Sequence, residues 1–573
     1  MARKLLIIGG VAGGATAAAR ARRISESAEI TIVERGPFVS YANCGLPYYL
    51  SGDIQKRSKL LLQTPEGFDS RYGVKVLVET EAVEIDRAAK RVRVKNTLGE
   101  AWIDYDALIL AQGGTPVMPP IQGADSPNVF RLWTVPDMDR IDAFVTERRP
   151  ATALIAGAGF IGLEMAEAFT KRGIRTTVVE MLPRVMSTLD PEMSSLIQAR
   201  LEKNGVQVVT GTALKSVNAA CAEAVLADGR TVPAGIVLVS VGVKPELTLA
   251  RQAGLAIGET GGLLVDEQLR TSDPSIWAAG DMNEITHKIS GRRIRIPLAG
   301  PANRQGRIAA SNAMGMARTY TGALGSSVVK VFDATAASTG LTEAAAREAG
   351  FDAGVVLMVK DNHAGYYPGG REMTLKLVYD RGTRRVLGAQ AFGEEGVEKR
   401  ADVVAMALQG KLTLDDLAEV DLTYAPPYSS ANDPLNLAAF VGLNDVTGFS
   451  PLVTATETRS ILAGAAPGAG LDAASREDHE AAPGAGPVLL DVRNVNEFET
   501  AHVRGALNIP VDELRFRLDE VPRDRPIIVY CRSGFRGHLA LRILRDNGFA
   551  DVRNLTGGFL AVRESGGFDI EES

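Results

Sequence analysis

Twice in this chain a short apolar strand runs into a glycine turn, a helix, a second strand and a closing glutamate. Few folds satisfy that pattern. Lys4-Leu-Leu-Ile-Ile8 leads into Gly9-Gly10-Val11-Ala12-Gly13-Gly14, an Ala/Arg-rich segment, Glu29-Ile-Thr-Ile-Val33 and Glu34. Thr152-Ala-Leu-Ile-Ala156 leads into Gly157-Ala158-Gly159-Phe160-Ile161-Gly162, a segment opening Leu163-Glu164, then Thr176-Thr-Val-Val179 and Glu180. The glycines let backbone N–H groups at a helix start approach a pyrophosphate, and the glutamate accepts hydrogen bonds from ribose hydroxyls. Val11 departs from the G-x-G-x-x-G spacing, whereas the second copy is complete. Glu180 repels a 2′-phosphate, so NADH is expected over NADPH, with Arg184 nearby to soften the preference.

At 573 residues the chain has room for several domains. A net charge of −6 gives no reason to expect nucleic acid or an anionic membrane as partner, so basic sites must be local pockets. Leu5 to Ala19 is apolar but carries four glycines and no stop-transfer pattern, and no run of eighteen apolar residues occurs elsewhere. A soluble, cytoplasmic protein is expected. The three cysteines, Cys44, Cys221 and Cys531, form no Cys-x-x-Cys pair, which argues against a disulfide scaffold and against a zinc site. Cys44 lies in Ser40-Tyr41-Ala42-Asn43-Cys44-Gly45-Leu46-Pro47-Tyr48, with no other cysteine before Cys221. That isolation suggests one sulfur that bonds to an outside partner. Cys221, among alanines, reads as an inert core or loop residue.

A third motif, Thr271-Ser-Asp-Pro-Ser-Ile-Trp-Ala278-Ala279-Gly280-Asp281, resembles the second flavin motif of two-dinucleotide-binding flavoproteins. In those proteins the Asp holds the ribityl chain of FAD. Ala107 to Gly113-Gly114 and Val239-Ser-Val-Gly242 look like the two crossovers joining an FAD fold to an NAD fold. The resemblance implies FAD in the first fold and NADH in the second.

Residues 1 to 450 resemble the pyridine nucleotide–disulfide oxidoreductases. Members with a cysteine pair in the flavin domain and a His near the C-terminal dimer interface are a poor match. Cys44 has no partner cysteine, and no His lies between His363 and His479. NADH peroxidases and oxidases share the single cysteine but place a His in the first glycine turn, where this chain has Ala12. The run around Cys44 is similar to that of coenzyme A disulfide reductases. So are Pro297-Leu-Ala-Gly-Pro-Ala-Asn303-Arg304-Gln305-Gly306, His363-Ala-Gly-Tyr366-Tyr367-Pro368-Gly369 and Tyr424-Ala-Pro-Pro-Tyr428-Ser429. By position, the resemblance implies coenzyme A contacts at Thr16, Arg20, Arg23, Ser40, Asn43, Arg71 and Asn303. The three arginines fall near phosphates, although Arg20, Arg22 and Arg23 also read as a solvated helix face. It implies a homodimer in which Tyr424 and Tyr366, the favoured member of its pair, reach the partner's thiol site. A tyrosine there can donate a proton to a leaving thiolate, or simply pack the interface.

Beyond Phe449 the composition shifts to Ala, Gly, Thr, Ser and Pro, and 451–486 reads as a flexible linker whose first part can pack on the reductase. Val488-Leu-Leu-Asp491-Val492-Arg493 opens a last domain. Glu497-Phe498, His502 to Pro510 and Leu555-Thr-Gly557-Gly558 then follow at spacings similar to those of single-domain rhodaneses. Ile527-Ile-Val-Tyr530 delivers Cys531-Arg532-Ser533-Gly534-Phe535-Arg536 to a helix. The loop is expected to aim N–H groups at Cys531, and Arg532 and Arg536 to favour its thiolate and hold a persulfide or thiosulfate-type anion. The Cys-x5-Arg loop of protein phosphatases is one residue longer, against phosphate monoesters.

The expected architecture is α/β. An FAD domain (1–114 and 245–325) and an NAD(H) domain (115–244), both Rossmann-like, precede an α+β dimerisation domain (326–450). The linker (451–486) and an α/β rhodanese domain (487–573) complete the chain. The expected activity is NADH-dependent reduction of coenzyme A persulfide, polysulfide or disulfide through Cys44. Cys531 would load or relay sulfane sulfur, with the linker raising its effective concentration. The alternatives are coenzyme A disulfide reduction or NADH oxidation beside an independent sulfurtransferase, and a sulfur carrier whose flavoprotein half senses redox state. The expected cofactor contacts are Gly9, Gly13, Gly14, Glu34, Gly113, Gly280 and Asp281 for FAD, and Gly157, Gly159, Gly162, Glu180 and Gly242 for NADH.

Overall fold

The computed structural model describes residues 2–464 and 486–573. It divides into two compact units, Met1–Val185 with Leu201–Gly325, and Met186–Arg200 with Ser326–Ser573.

The first unit contains both expected dinucleotide folds. One is a five-stranded parallel sheet in the order Ile276–Ala278, Ala107–Leu110, Lys4–Ile8, Glu29–Val33, Val74–Leu77. Its strands are apolar because helices cover both faces of such a sheet; Ile7, Ile32, Leu108 and Ile109 are fully buried. The helix Ala12–Ile24 buries Ala17, Ala18 and Ala21 and crosses the helix Ala299–Ala313 closely. A Cβ on Gly306 would stand 2.2 Å from the carbonyl oxygen of Gly13, so glycine is required at that crossing. The second fold is parallel in the order Gln207–Thr210, Arg175–Glu180, Thr152–Ala156, Ile236–Val239, Val129–Phe130. Gly114–Pro116 pairs antiparallel with Val243–Pro245, making the two crossovers a short ribbon.

The second unit is built on an antiparallel sheet ordered Ser327–Val331, Ala334–Gly340, Val386–Gly393, Glu372–Asp380, Ala353–Asp361. Met186–Arg200, expected within the NAD(H) domain, is part of this unit. Charge decides that placement. The Lys376 ammonium, 1% exposed, lies 3.2 Å from Asp190, 3.0 Å from Glu192 and 2.9 Å from Glu343. An ion buried so completely requires such partners.

The last domain is a parallel sheet ordered Leu452–Val453, Val552–Leu555, Ile527–Tyr530, Val488–Asp491, Leu507–Asn508. Part of the expected linker is therefore structured. Leu452–Val453 is the edge strand, and Ala455–Leu462 is a helix that starts with a capping box between Thr454 and Glu457. The signal was Thr454-x-x-Glu457 after two apolar residues, obscured by the surrounding Ala and Gly. Residues 465–485, with most of the Ala/Gly/Pro-rich stretch, lie outside the described residues.

This domain is docked on the antiparallel sheet. Thr556 Oγ1 accepts from the N–H of Leu357 (2.8 Å) and donates to its carbonyl (3.2 Å), satisfying an edge-strand residue. Ser195 donates to the carbonyl of Glu564 (2.6 Å), and Arg347 pairs with Glu457 (2.9 Å). The last domain is thus tied to the antiparallel sheet by contacts as well as by the chain. They share hydrogen bonds and the ion pairs Arg347–Glu457 and Arg532–Glu372.

Candidate active sites

The first glycine turn is shaped by close approaches. Gly9 has φ +96°, and a Cβ there would meet the Ala111 carbonyl at 2.3 Å; one on Gly14 would lie 1.8 Å from the Gly9 oxygen. The helix begins after Val11 with no side-chain cap, so its first N–H groups face outward. Glu34 accepts from the N–H of Gly10 (2.8 Å) and Gly36 (2.7 Å), which fixes its carboxylate beside the turn. At the far end Gly280 has φ +94°, and burial pushes the neighbouring Asp281 carboxyl up to about 6. Buried Gln112 Oε1 has no partner. An uncapped helix start, a clamped glutamate and polar groups awaiting partners are the features a flavin dinucleotide requires, so these residues fit FAD. Gly113, at φ +66°, begins the crossover ribbon.

The second turn repeats the design. Gly157 has φ +105° and sits against the Ser240 carbonyl, and a Cβ on Gly162 would meet the Gly157 oxygen at 2.0 Å. A Cβ on Gly159 meets nothing within 4 Å, so open space lies where a pyrophosphate would sit. Glu180 accepts from the N–H of Ala158 (2.8 Å) and Leu182 (2.9 Å), as Glu34 does in the first fold. Gly242 has φ +124° at the return crossover.

Cys44 is exposed in a short 3₁₀ turn, Asn43–Gly45, before the helix Leu46–Leu50. Asn43 Oδ1 accepts from the Cys44 N–H at 3.1 Å and lies 3.7 Å from its sulfur. Ser40 holds the approach. Its N–H donates to the Gly10 carbonyl (2.8 Å), and its own carbonyl accepts from Leu62 and Gln63. Surrounding protein desolvates Cys44 although water reaches it, and this, with the charges of Glu164 and Asp281, pushes the thiol up. Tyr48 donates to Glu164 Oε1 at 3.0 Å, and burial pushes the Glu164 carboxyl up to about 7. The Tyr48–Glu164 pair was not foreseen as part of the site. The residues are 116 apart, and the sequence marked each only as a neighbour of a motif.

The residues expected at coenzyme A are arranged along the Ala12–Ile24 helix. Thr16 donates to Asn303 Oδ1 (2.6 Å), Arg20 to Ser311 (3.0 Å), and Arg23 is exposed, bonded to the Ala19 carbonyl. Desolvation, then repulsion from Arg307, Arg23 and Arg318, holds the Arg20 guanidinium below its ordinary value. Arg307 and Arg318 thus extend a cationic cluster that sequence reading limited to Arg20 and Arg23. Arg22 does not belong to a solvated face: it is buried and donates to the carbonyls of Tyr72 (2.6 Å) and Gly73 (2.8 Å). That clamp ties the helix Pro65–Tyr72, whose last turn carries exposed Arg71, to the Arg20 helix.

In the second unit Tyr366 and Tyr424 stand 77% and 46% exposed, with their hydroxyls 2.9 Å apart. Tyr367 packs edge-on against buried His363 instead. Fully buried Arg400 joins the two tyrosine loops, donating to the Asn362 carbonyl (2.8 Å) and to Asp433 (2.8 Å). Asp433 also accepts from Ser429 (2.6 Å). Cys221 is exposed in a turn, 3.4 Å from Asn218 Nδ2.

Cys531 is buried at the end of Ile527–Tyr530, and the Gly534 N–H donates to its sulfur at 3.1 Å. Gly558, φ +57°, lies under the loop, and a Cβ there would meet the Cys531 carbonyl at 2.3 Å. Arg536 forms two bonds to Glu497 (2.6 and 2.9 Å), and Arg532 two to Glu372 (2.7 and 3.0 Å). Arg536 also hydrogen-bonds to the Cys531 sulfur, in line with the expectation for it, whereas Arg532 is directed to Glu372. Each already holds a carboxylate.

Residues 3–309 match the pyridine nucleotide-disulphide oxidoreductase model, residues 326–434 its dimerisation domain, and residues 475–565 the rhodanese-like domain. The chain belongs to the pyridine nucleotide-disulphide oxidoreductase family. Over 440 residues it is 37% identical to the NAD(P)H sulfur oxidoreductase (CoA-dependent) of Pyrococcus abyssi, covering 77% of this chain and 98% of the relative. Reduced Bacillus anthracis CoADR-RHD superposes with a TM-score of 0.92 at 40% identity, covering 99% of this chain and 98% of that one. A NAD-dependent persulfide reductase from A. fulgidus gives 0.87 at 39% identity, covering 97% and 99%. The oxidoreductase thus combines two dinucleotide-binding folds, a dimerisation domain and a rhodanese-like domain. Among the described residues no helix is long and apolar enough to cross a membrane.

Proposed function

We propose that this oxidoreductase is a cytoplasmic, homodimeric NADH-dependent flavoenzyme. It reduces coenzyme A persulfide or polysulfide, and coenzyme A disulfide, at Cys44, while Cys531 handles sulfane sulfur. The observation that carries the reading is a single exposed thiol within the fields of Asp281 and Glu164, at the end of the flavin fold. The names of relatives, CoA-dependent sulfur oxidoreductase and persulfide reductase, support the substrate class. The chemistry a bound FAD supplies is two-electron transfer from nicotinamide to sulfur.

The chain's own residues do the rest. The cationic cluster of Arg20, Arg23, Arg307 and Arg318 suits the phosphates of coenzyme A, and Thr16 with Asn303 is placed to fix its orientation. Cys44 as thiolate attacks a sulfur of the bound persulfide or disulfide, and hydrosulfide or thiol leaves with the bonding electrons. Glu164, protonated in part near neutral pH, reduces the repulsion that keeps Cys44 protonated. The hydrogen bond that the Tyr424 hydroxyl shares with Tyr366 pushes it up, so it stays protonated and fit to donate to a departing thiolate.

Steady-state NADH oxidation with coenzyme A persulfide, polysulfide and coenzyme A disulfide, on wild type and Cys531→Ser, tests the reading. The persulfide and disulfide rates should survive in the variant within about twofold, since free coenzyme A persulfide and disulfide diffuse directly to Cys44. Thiosulfate sulfurtransferase activity should vanish. Loss of every rate with an unchanged flavin spectrum would make Cys531 an obligatory relay.

Glu180 supports the nicotinamide preference. Both its oxygens are held by the Ala158 and Leu182 N–H groups, which keeps its charge at the ribose position. NADH should exceed NADPH in kcat/KM, and Glu180→Ala should narrow the ratio by about tenfold, a charge repulsion of some 1.4 kcal/mol. Equal use of both nucleotides by wild type would refute the placement.

A further inference from the structure

The rhodanese-type loop is served by a residue from another domain. Glu372, the first residue of the strand Glu372–Asp380, takes both arms of Arg532, the residue after Cys531. The geometry behind this contact is rigid. Thr556 is fixed on Leu357 by two hydrogen bonds. The next residue, Gly557, is so close to Leu357 that a Cβ would stand 2.7 Å from its side chain. Gly558 then packs under the Cys531 carbonyl, which accepts from the Phe559 N–H at 2.7 Å. Cys531 is therefore held at a set position relative to the strand pair that presents Glu372. Arg536, the other cation of the loop, is shared between Glu497 from within the domain and the Cys531 sulfur. The hydrogen bonds of Arg532 hold the Glu372 carboxyl below its ordinary value, so the pair is charged at neutral pH.

We propose that Glu372 selects the sulfur donor of Cys531, disfavouring dianions such as thiosulfate and leaving organic hydropersulfides as the preferred class. This rests on the reading of Cys531 as a sulfane-sulfur carrier. A dianion entering the loop needs an open guanidinium fork, and here it meets a fork already filled and a carboxylate beside it. A hydropersulfide makes a smaller demand. The Cys531 thiolate attacks its outer sulfur, the S–S bond breaks, and the thiolate RS⁻ leaves with the bonding pair while the proton stays on the new persulfide. With thiosulfate the same attack releases sulfite, and the terminal sulfur left on Cys531 keeps the third negative charge.

The test is Glu372→Gln in the full chain; this half-exposed side chain can be replaced without opening a core. Thiosulfate:cyanide sulfurtransfer should rise about two- to fivefold in kcat/KM, the worth of a half-exposed ion pair, and the gain should shrink in high salt. Sulfur loading of Cys531 from cysteine hydropersulfide, read by intact mass, should change less than the thiosulfate rate. An unchanged or lower thiosulfate rate, with hydropersulfide loading intact, would overturn the role of Glu372 alone. If Cys531 gained no sulfur mass from either donor in wild type or variant, both this inference and the carrier reading would fall.

Discussion

Cys44→Ser removes NADH-dependent reduction of coenzyme A persulfide and disulfide by at least about 100-fold, a barrier increase of about 2.7 kcal/mol, while FAD remains bound and reducible. The serine hydroxyl fits the short turn Asn43–Gly45 and keeps the hydrogen bond to Asn43, but it cannot form a mixed disulfide. The groups that fit the flavin, at Gly9 to Gly14, Glu34, Gly280 and Asp281, do not depend on the sulfur. Flavin bleaching by NADH under anaerobic conditions, followed by steady-state rates, separates the two effects. Retention of more than roughly a tenth of the activity, less than 1.4 kcal/mol of barrier, would mean that electrons reach the substrate without this thiol.

Lys376→Met destabilises the second unit by about 3–5 kcal/mol at pH 8, the range for breaking a buried ion pair by removing one partner. Methionine matches the stem of lysine in shape but strands Asp190, Glu192 and Glu343 without their shared ammonium. In the wild type, burial pushes Glu343 up, but the attraction of Lys376 and Arg347 outweighs it and holds its carboxyl below the ordinary 4.5. That contribution to stability is complete above 4.5 and is lost as pH falls through the lower folded value. In the variant the sign reverses. Carboxylates left buried without that ammonium are pushed up, Glu343 less so because it keeps Arg347, so folding takes up protons and the deficit shrinks as pH falls from 8 to 5. Denaturant midpoints at the two pH values check this; an equal deficit at both would mean that lost packing, not charge, causes it.

The sites differ in how far the sequence revealed them. Gly14 and Gly162 were legible because the carbonyl five residues earlier would stand 1.8 and 2.0 Å from a Cβ, and Gly9 and Gly157 because the turn gives them φ +96° and +105°. Glu34 and Glu180 were legible because a strand of fixed length carries them to the turn they clamp. The Tyr48–Glu164 pair and the union of Arg20 and Arg23 with Arg307 and Arg318 were not, since their partners come from distant segments. The burial of Arg22 was not legible, and a solvated face stood as one reading of it, because helical spacing cannot show that a carbonyl pair from Tyr72 and Gly73 waits beside it.

By itself the sequence determined the order of the domains, the two dinucleotide turns and the position of both candidate sulfur residues. These depend on short-range rules, namely strand length, glycine at forced backbone angles, and a thiol placed after a strand. Only the tertiary structure decided that Leu452–Val453 completes the rhodanese-type sheet and that Met186–Arg200 joins the second unit through Lys376. It alone decided that Arg532 is held by Glu372. These outcomes rest on pairing charges and edge-strand groups across 100 residues and more, and a charge or an open backbone group carries no mark in sequence of the partner that will satisfy it.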